Sequence, residues 1–190
     1  MNTRTNRLVG LSLLTALIVI LQVLARLIPT GIFSLTLSLV PIVVGAALYG
    51  VGAGGYLGFV FGVVVLLNNS QLFLEISIPG TIATVLVKGI ACGVVAGVTY
   101  RLLSARSSML AAAAAAILCP CVNTGVFLLG CRLFFMDWVL EKTEAMGFSS
   151  AGSFLILGLV GVNFLIEIAI NLVLSPAIVR IVRACGRRTS

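Results

Sequence analysis

The chain has 190 residues, of which 61% are hydrophobic and only 9% charged, and its mean hydropathy is +1.25. That excludes a soluble globular domain and describes a multi-span membrane protein. At about 20 apolar residues per crossing, the length holds roughly six spans with short loops and no separate soluble domain. The net charge of +7 follows topology rather than marking a nucleic-acid surface. Arg4, Arg7, Arg101, Arg106, Arg180, Arg183, Arg187 and Arg188 all fall on one side of a six-span arrangement, and Glu75, Asp137, Glu141 and Glu144 on the other. This positive-inside pattern predicts an all-α membrane protein of six transmembrane helices with N and C termini cytoplasmic. The basic ends suit anionic membrane lipid, with no nucleic-acid partner.

The first predicted span covers residues 8–28. Its basic start and apolar run resemble a signal peptide, but the run is longer than an h-region and the rest of the chain is equally apolar, so it reads as a span. Ser12 and Ala16, with Gly10 before them, are small residues at helical spacing. They suit close approach of another helix, either within the chain or from a partner protein. Pro29-Thr30-Gly31 closes the span. Spans two and three, 35–49 and 55–67, lie in a charge-free region from Leu27 to Leu74 and are parted by a glycine-rich turn at 49–55. Gly54, Gly58 and Gly62 form a small-residue ladder on the third span.

An outer loop opens at Asn68-Asn69-Ser70-Gln71 and holds Phe73 and Glu75. Span four, 79–101, carries Lys88 beside a second ladder of Gly89, Gly93 and Gly97. Span five, 108–134, begins in an alanine run, passes Cys119-Pro120-Cys121 and Asn123, and leaves through Arg132. The cysteines read as buried thiols rather than a redox or zinc motif, because the chain has no histidine and no second paired-cysteine motif. The loop Asp137–Ser150 carries Trp138 and most of the acids, and serves as a lid or as a solvated connector. Span six, 152–181, is expected as one helix with Asn163, Glu167 and Asn171 on a single face. Residues 1–190 thus form a single integral membrane domain.

Depth brings these polar groups together. Lys88 lies thirteen residues before Arg101 and Glu167 thirteen before Arg180, about 20 Å from the basic boundary in each case. Asn123 and Asn163 both lie seventeen residues from flanking arginines, at about 25 Å. Arg132 sits above them. Two readings stand: a neutralised Lys88–Glu167 pair with asparagines bonded between helices, or the floor and wall of a pocket open to the outside. The set lacks a histidine base, paired carboxylates, a Ser/His or Cys/His nucleophile, a metal-ligand group and a phosphate-binding Gly-x-x-x-x-Gly-Lys. No catalytic residue, metal or cofactor is expected, and the chain cannot hydrolyse ATP itself.

The run LVPIVVGAALYG at 39–50, GYLGFVFG at 55–62, and NFLIE at 163–167 continuing to NLVLSP at 171–176 resemble the substrate-binding S component of energy-coupling-factor (ECF) vitamin transporters. The likeness extends over nearly the whole chain. It implies a multi-pass subunit of a bacterial cell membrane that binds a vitamin in an outer pocket made by spans four to six and the outer loops. The partners implied are a transmembrane coupling subunit and two ATPase subunits, with toppling of the S component carrying the pocket inward. Ser12 and Ala16 match the family's docking face for the coupling subunit, with serine in place of the usual first alanine. Lys88, Asn123, Arg132, Asn163 and Glu167 are the expected substrate-binding residues. Lys88 and Arg132 suit a carboxylate. Pantothenate and riboflavin fit best, cobalamin or folate would need a wider mouth, and the aromatic, acid-rich site of a thiamine binder is not evident. A self-sufficient small-molecule carrier or channel is the alternative.

Overall fold

A computed structural model describes residues 3–25 and 37–186. The expected turn at Pro29–Gly31, the far end of the first span, the start of the second, and Arg187 and Arg188 lie outside the described residues. Those described form helices α1 (Thr3–Ala25), α2 (Leu39–Tyr49), α3 (Val51–Asn69), α4 (Gln71–Ile76), α5 (Ile78–Leu103), α6 (Ser108–Phe134), α7 (Met136–Ala145), a short α8 (Ala151–Ser153) running into a π-helical segment (Phe154–Val160), and α9 (Gly161–Gly186). By length and composition five stretches can cross a membrane: 4–25, 51–68, 78–103, 108–134 and 163–182. Six were expected. At the second position the described residues give an 11-residue helix, about 16 Å long against a hydrocarbon core of about 30 Å.

Local chemistry sets the boundaries. Gly50, at φ 88 and ψ −178, makes the whole turn between α2 and α3. The expected glycine-rich loop is therefore one residue long, and the later glycines enter α3. The side-chain oxygen of Ser77 accepts from the Gly80 amide at 3.3 Å and starts α5, and Ser107 does the same for α6 through Leu110. Such caps satisfy amides that the helix leaves without partners. Ser150 and Ser153 exchange bonds in a capping box at α8.

The glycine ladders of α3 and α5 face each other. A Cβ on Gly58 would strike the Gly89 carbonyl, and one on Gly54 the Gly93 carbonyl. In the other direction, a Cβ on Gly93 would come within 2.6 Å of the Gly54 carbonyl carbon, and one on Gly97 within 2.7 Å of the Val51 Cα. Backbone thus packs on backbone along the crossing, the close approach that small residues permit in membranes.

Among the described residues Arg7 of α1, Arg101 in the last turn of α5 and Arg180 near the end of α9 fall at one end of the helices, while Arg132 closes α6 at the other. The Arg7 guanidinium donates to the Tyr49 carbonyl at 3.4 Å, at the C-terminus of α2, where a cation suits the helix dipole. At that end an apolar cluster joins Tyr100, Ala111, Ala112, Ile178 and Val179 to Ile42, Leu57 and Phe61. A second cluster at the opposite end comprises Phe73, Cys131, Phe135, Val139, Phe154 and Leu159.

Two expectations are corrected. The segment 152–181 is not one continuous helix. It is π-helical over Phe154–Val160 and breaks at Gly161, whose φ of 40 and ψ of −139 no helix accommodates. The expected loop Asp137–Ser150 is mostly helix α7, which follows α6 after a break at Phe135 and ends at Ala145, with a turn at Gly147 (φ 71) beyond it.

Candidate functional site

Polar side chains face inward on α5, α6 and α9, among them Thr84, Asn123, Glu167 and Asn171. Thr84, Lys88 and Cys92 follow one another at four-residue steps on α5, on the face turned to α6. Gly130 of α6 meets Thr84 so closely that a Cβ there would overlap its side chain. From α6, Asn123, Phe127 and Cys131 share a face by the same spacing. The Lys88 Nζ stands 5.3 Å from the centroid of Phe127 and 6.0 Å from that of Phe61 on α3, within range of cation–π attraction. Of the charged groups near it, Glu167 on α9 acts on it most strongly, and Cys92 and Cys131 are close enough to feel its charge. The Cys92 thiol donates to the Gly89 carbonyl within α5 at 3.1 Å, and the Cys119 thiol of α6 lies near it.

Glu167 is 7% exposed and Asn171 1%. Both face inward, as their four-residue spacing requires. The Asn171 Nδ2 donates to the Glu167 carbonyl at 2.8 Å, so Asn171 is engaged within its own helix. Asn163, half-buried, lies one turn before Glu167 and just after the break at Gly161. Asn123 is 5% exposed, and its Oδ1 has no hydrogen-bond partner among the described residues. An unsatisfied buried amide oxygen costs about 1–3 kcal/mol and persists where a donor from elsewhere can occupy it.

Over this layer lies a roof of aromatic rings. Phe73 of α4 packs edge-on against Phe127 at 5.8 Å, Phe135 at 5.0 Å and Trp138 of α7 at 5.4 Å. Trp138 continues to Phe154 at 6.1 Å, and Phe154 to Phe148 at 5.5 Å. Phe127 therefore touches both the lysine below and the roof above.

Of the expected site residues, Lys88 is close enough to Glu167 to feel its charge. Asn123 is buried on the α6 face that carries Phe127. Arg132 is exposed in the last turn of α6. Nine residues separate it from Asn123, which puts the two on opposite faces of that helix, so it does not join the cluster around Lys88. Ser12 and Ala16 are both exposed on α1. Gly10 is turned the other way, where a Cβ would overlap the Tyr49 hydroxyl. The three small residues thus divide between a face used inside the chain and a face left open.

Sequence reasoning missed the aromatic component. The six rings of the roof and the Phe61 ring lie between positions 61 and 154 with no local clustering. Phe127, four residues after Asn123, carried the one signal that spacing offered.

Chemically the arrangement combines a cation, a carboxylate, an amide oxygen open to a donor, and ring faces in a water-poor layer. Among the described residues no group of three His, Cys, Asp or Glu side chains is placed to hold a metal. These are the elements of a binding site for a small polar molecule with an apolar part.

The family model described as "ECF transporter, substrate-specific component" matches residues 6–179. Comparison with curated proteins and with solved structures returned no match.

Proposed function

The chain belongs to the substrate-specific components of ECF transporters, and on that premise we propose that it is the high-affinity vitamin-binding subunit of an ECF importer. The polar layer under the aromatic roof is its ligand site. Lys88, Asn123, Asn163 and Glu167 line it, the end bearing Trp138 faces outward, and exposed Arg132 stands at the mouth. Both termini lie in the cytoplasm, and α2, with the residues before it, supplies a sixth crossing in a bacterial cell membrane. A transmembrane coupling subunit docks on the exposed Ser12–Ala16 face of α1, and two ATPase subunits supply the energy. This chain performs no catalysis. Pantothenate and riboflavin are the first vitamins to test, with cobalamin and folate behind them.

One set of observations carries this reading: a half-buried lysine against two aromatic rings, a buried glutamate whose charge reaches it, and a buried amide oxygen with no hydrogen-bond partner among the described residues. A pair kept only for packing needs no open acceptor and no ring faces around its cation. An intramembrane ionisable pair so placed is a functional site by default. Titration of the purified protein with a vitamin panel tests it, followed by calorimetry and by the fluorescence of Trp138, the only tryptophan. Saturable binding of one vitamin, with a change in Trp138 emission, is expected. Absence of binding to every vitamin would overturn the assignment of the site.

A further inference from the structure

Four buried side-chain atoms have no hydrogen-bond partner among the described residues: the hydroxyl oxygens of Thr15 and Thr84 and the amide oxygens of Asn123 and Asn171. Of these, the Asn123 oxygen belongs to the α6 face whose next turn carries the ring against Lys88. We propose that Asn123 determines specificity: it selects a ligand with an uncharged N–H or O–H donor at the end farthest from the aromatic roof, and its oxygen is satisfied by that donor rather than by the fold. The inference rests on reading this region as the vitamin site, and names the chemistry that the site asks of its ligand.

The other three atoms have local accounts. Thr15 is only half-buried, on α1. Thr84 lies against the main chain of Gly130, where a Cβ would overlap its hydroxyl, and a Cα–H group so placed makes a weak bond to oxygen. Asn171 is anchored through its Nδ2 on the Glu167 carbonyl of its own helix at 2.8 Å. Asn123, 5% exposed, stands one turn before Phe127 on the same face. A neutral acceptor buried without a partner is a standing cost in the empty protein, and a donor supplied by a ligand removes it.

The order of groups along α6 gives the ligand a direction. Phe127 packs on Phe73 of the roof at 5.8 Å, and the Lys88 Nζ stands 5.3 Å from the Phe127 centroid. Asn123 lies four residues farther from the roof, about 6 Å along the helix axis. A molecule seated beneath the roof thus meets the ring faces and the ammonium first and reaches Asn123 with its far end. An amide oxygen accepts and does not donate, so a carboxylate or phosphate oxygen there would set lone pair against lone pair. A cationic donor is disfavoured by the Lys88 ammonium one turn away, because like charges repel strongly where water is scarce. A hydroxyl or an amide-type N–H remains. Acceptor groups of the same molecule suit the level of Lys88, which is half-buried, and its apolar body suits the Phe61 and Phe127 rings.

The test begins with wild-type protein in detergent, titrated with riboflavin, pantothenate, biotin, folate, nicotinamide and thiamine. Whichever vitamin binds is then compared with analogues in which one hydroxyl is replaced by hydrogen, or one N–H by N–CH3, at a time. One such change should weaken wild-type binding at least about tenfold. Asn123→Leu should lose at least about tenfold in affinity for the unmodified vitamin, and the two changes together should show a coupling of about fivefold or more. The empty Asn123→Leu protein should melt no lower than wild type, because the substitution removes an oxygen that nothing in the fold satisfies. The wild-type analogue series decides the matter even if the variant does not fold. The inference is overturned if Asn123→Leu keeps wild-type affinity, whatever its melting temperature, or if no single donor change weakens wild-type binding by more than about twofold. Either result, obtained with a vitamin that does bind, would leave the proposed function standing, whereas no binding by any compound would remove that function along with this inference.

Discussion

Substituting Gly89 by alanine probes the feature on which the position of Lys88 depends. The added Cβ would overlap the Gly58 carbonyl oxygen and lie 3.2 Å from the Gly62 amide nitrogen. Both neighbours are backbone, so no rotamer change relieves the clash. One turn further along α5, a Cβ on Gly93 would stand 2.6 Å from the Gly54 carbonyl carbon, about 1 Å short of ordinary carbon–carbon contact. Accommodating alanine therefore means moving α3 and α5 apart by about that much along the crossing, and forfeiting a large part of the dispersion energy of the contact. Overpacking of this kind costs about 2–3 kcal/mol. Gly125 on α6 is the control, because nothing lies within 4 Å of its Cβ position. Alanine there should be neutral or stabilise by about 0.5–1 kcal/mol through helix propensity. Thermal unfolding of the two variants in detergent, read by near-ultraviolet circular dichroism, should separate them by about 5–10 °C. Equal melting of Gly89→Ala and wild type would show that the two helices are not held backbone to backbone.

Glu167→Ala should disturb binding or folding more than Glu144→Ala, since Glu167 is 7% exposed and its charge reaches Lys88; equal, negligible effects in binding and melting assays would place Glu167 outside the core and the site. Ala16→Leu on the exposed face of α1 should abolish vitamin uptake in cells carrying a complete ECF module while leaving vitamin binding by the purified subunit intact, and normal uptake would rule out that face as the docking surface. Uptake by the chain in vesicles lacking the coupling subunit and ATPases should be absent; its presence would establish a self-sufficient carrier. Gly161→Ala should destabilise by about 1–2 kcal/mol, because φ is 40 there, although the Cβ itself meets nothing; an unchanged melting temperature would show that the break is not conformationally required.

Much of this was legible in the sequence because membrane helices advertise themselves through long apolar runs and regular spacing. The two ladders of glycines could be read from four-residue steps on each helix, although their meeting face to face could not. Lys88 and Glu167 could be paired by depth, since both count from arginines that mark one boundary. Asn123 could be placed near them by the same measure, but its open oxygen depends on packing that no spacing reveals. Arg132 was grouped with them by depth alone, and depth says nothing about azimuth on the helix. The break at Gly161 was hidden because glycine in an apolar run reads equally as helix packing or as a kink. The aromatic roof was illegible for a different reason: α4, α6, α7 and the π-helical segment each supply one ring or a few, and only the fold brings them together.

The placing of Lys88 and Glu167 in the sequence also bears on how the chain is made. Lys88 and Glu167 stand 79 residues apart, so in synthesis from the N-terminus the lysine must be inserted well before the glutamate exists. A lysine at the centre of a helix raises the cost of insertion by about 2.5–3.5 kcal/mol. The eleven isoleucine, leucine and valine residues of α5 offset it with about 3–7 kcal/mol together. By then α3 is already present, and its glycines give α5 a surface to settle on. The lysine helix thus waits in the bilayer held by contacts between main chains, and the arrival of α9 supplies the charge that completes it. Truncation before α9 should accordingly leave α5 inserted but its lysine uncompensated, a state that quality-control proteases can distinguish from the finished protein.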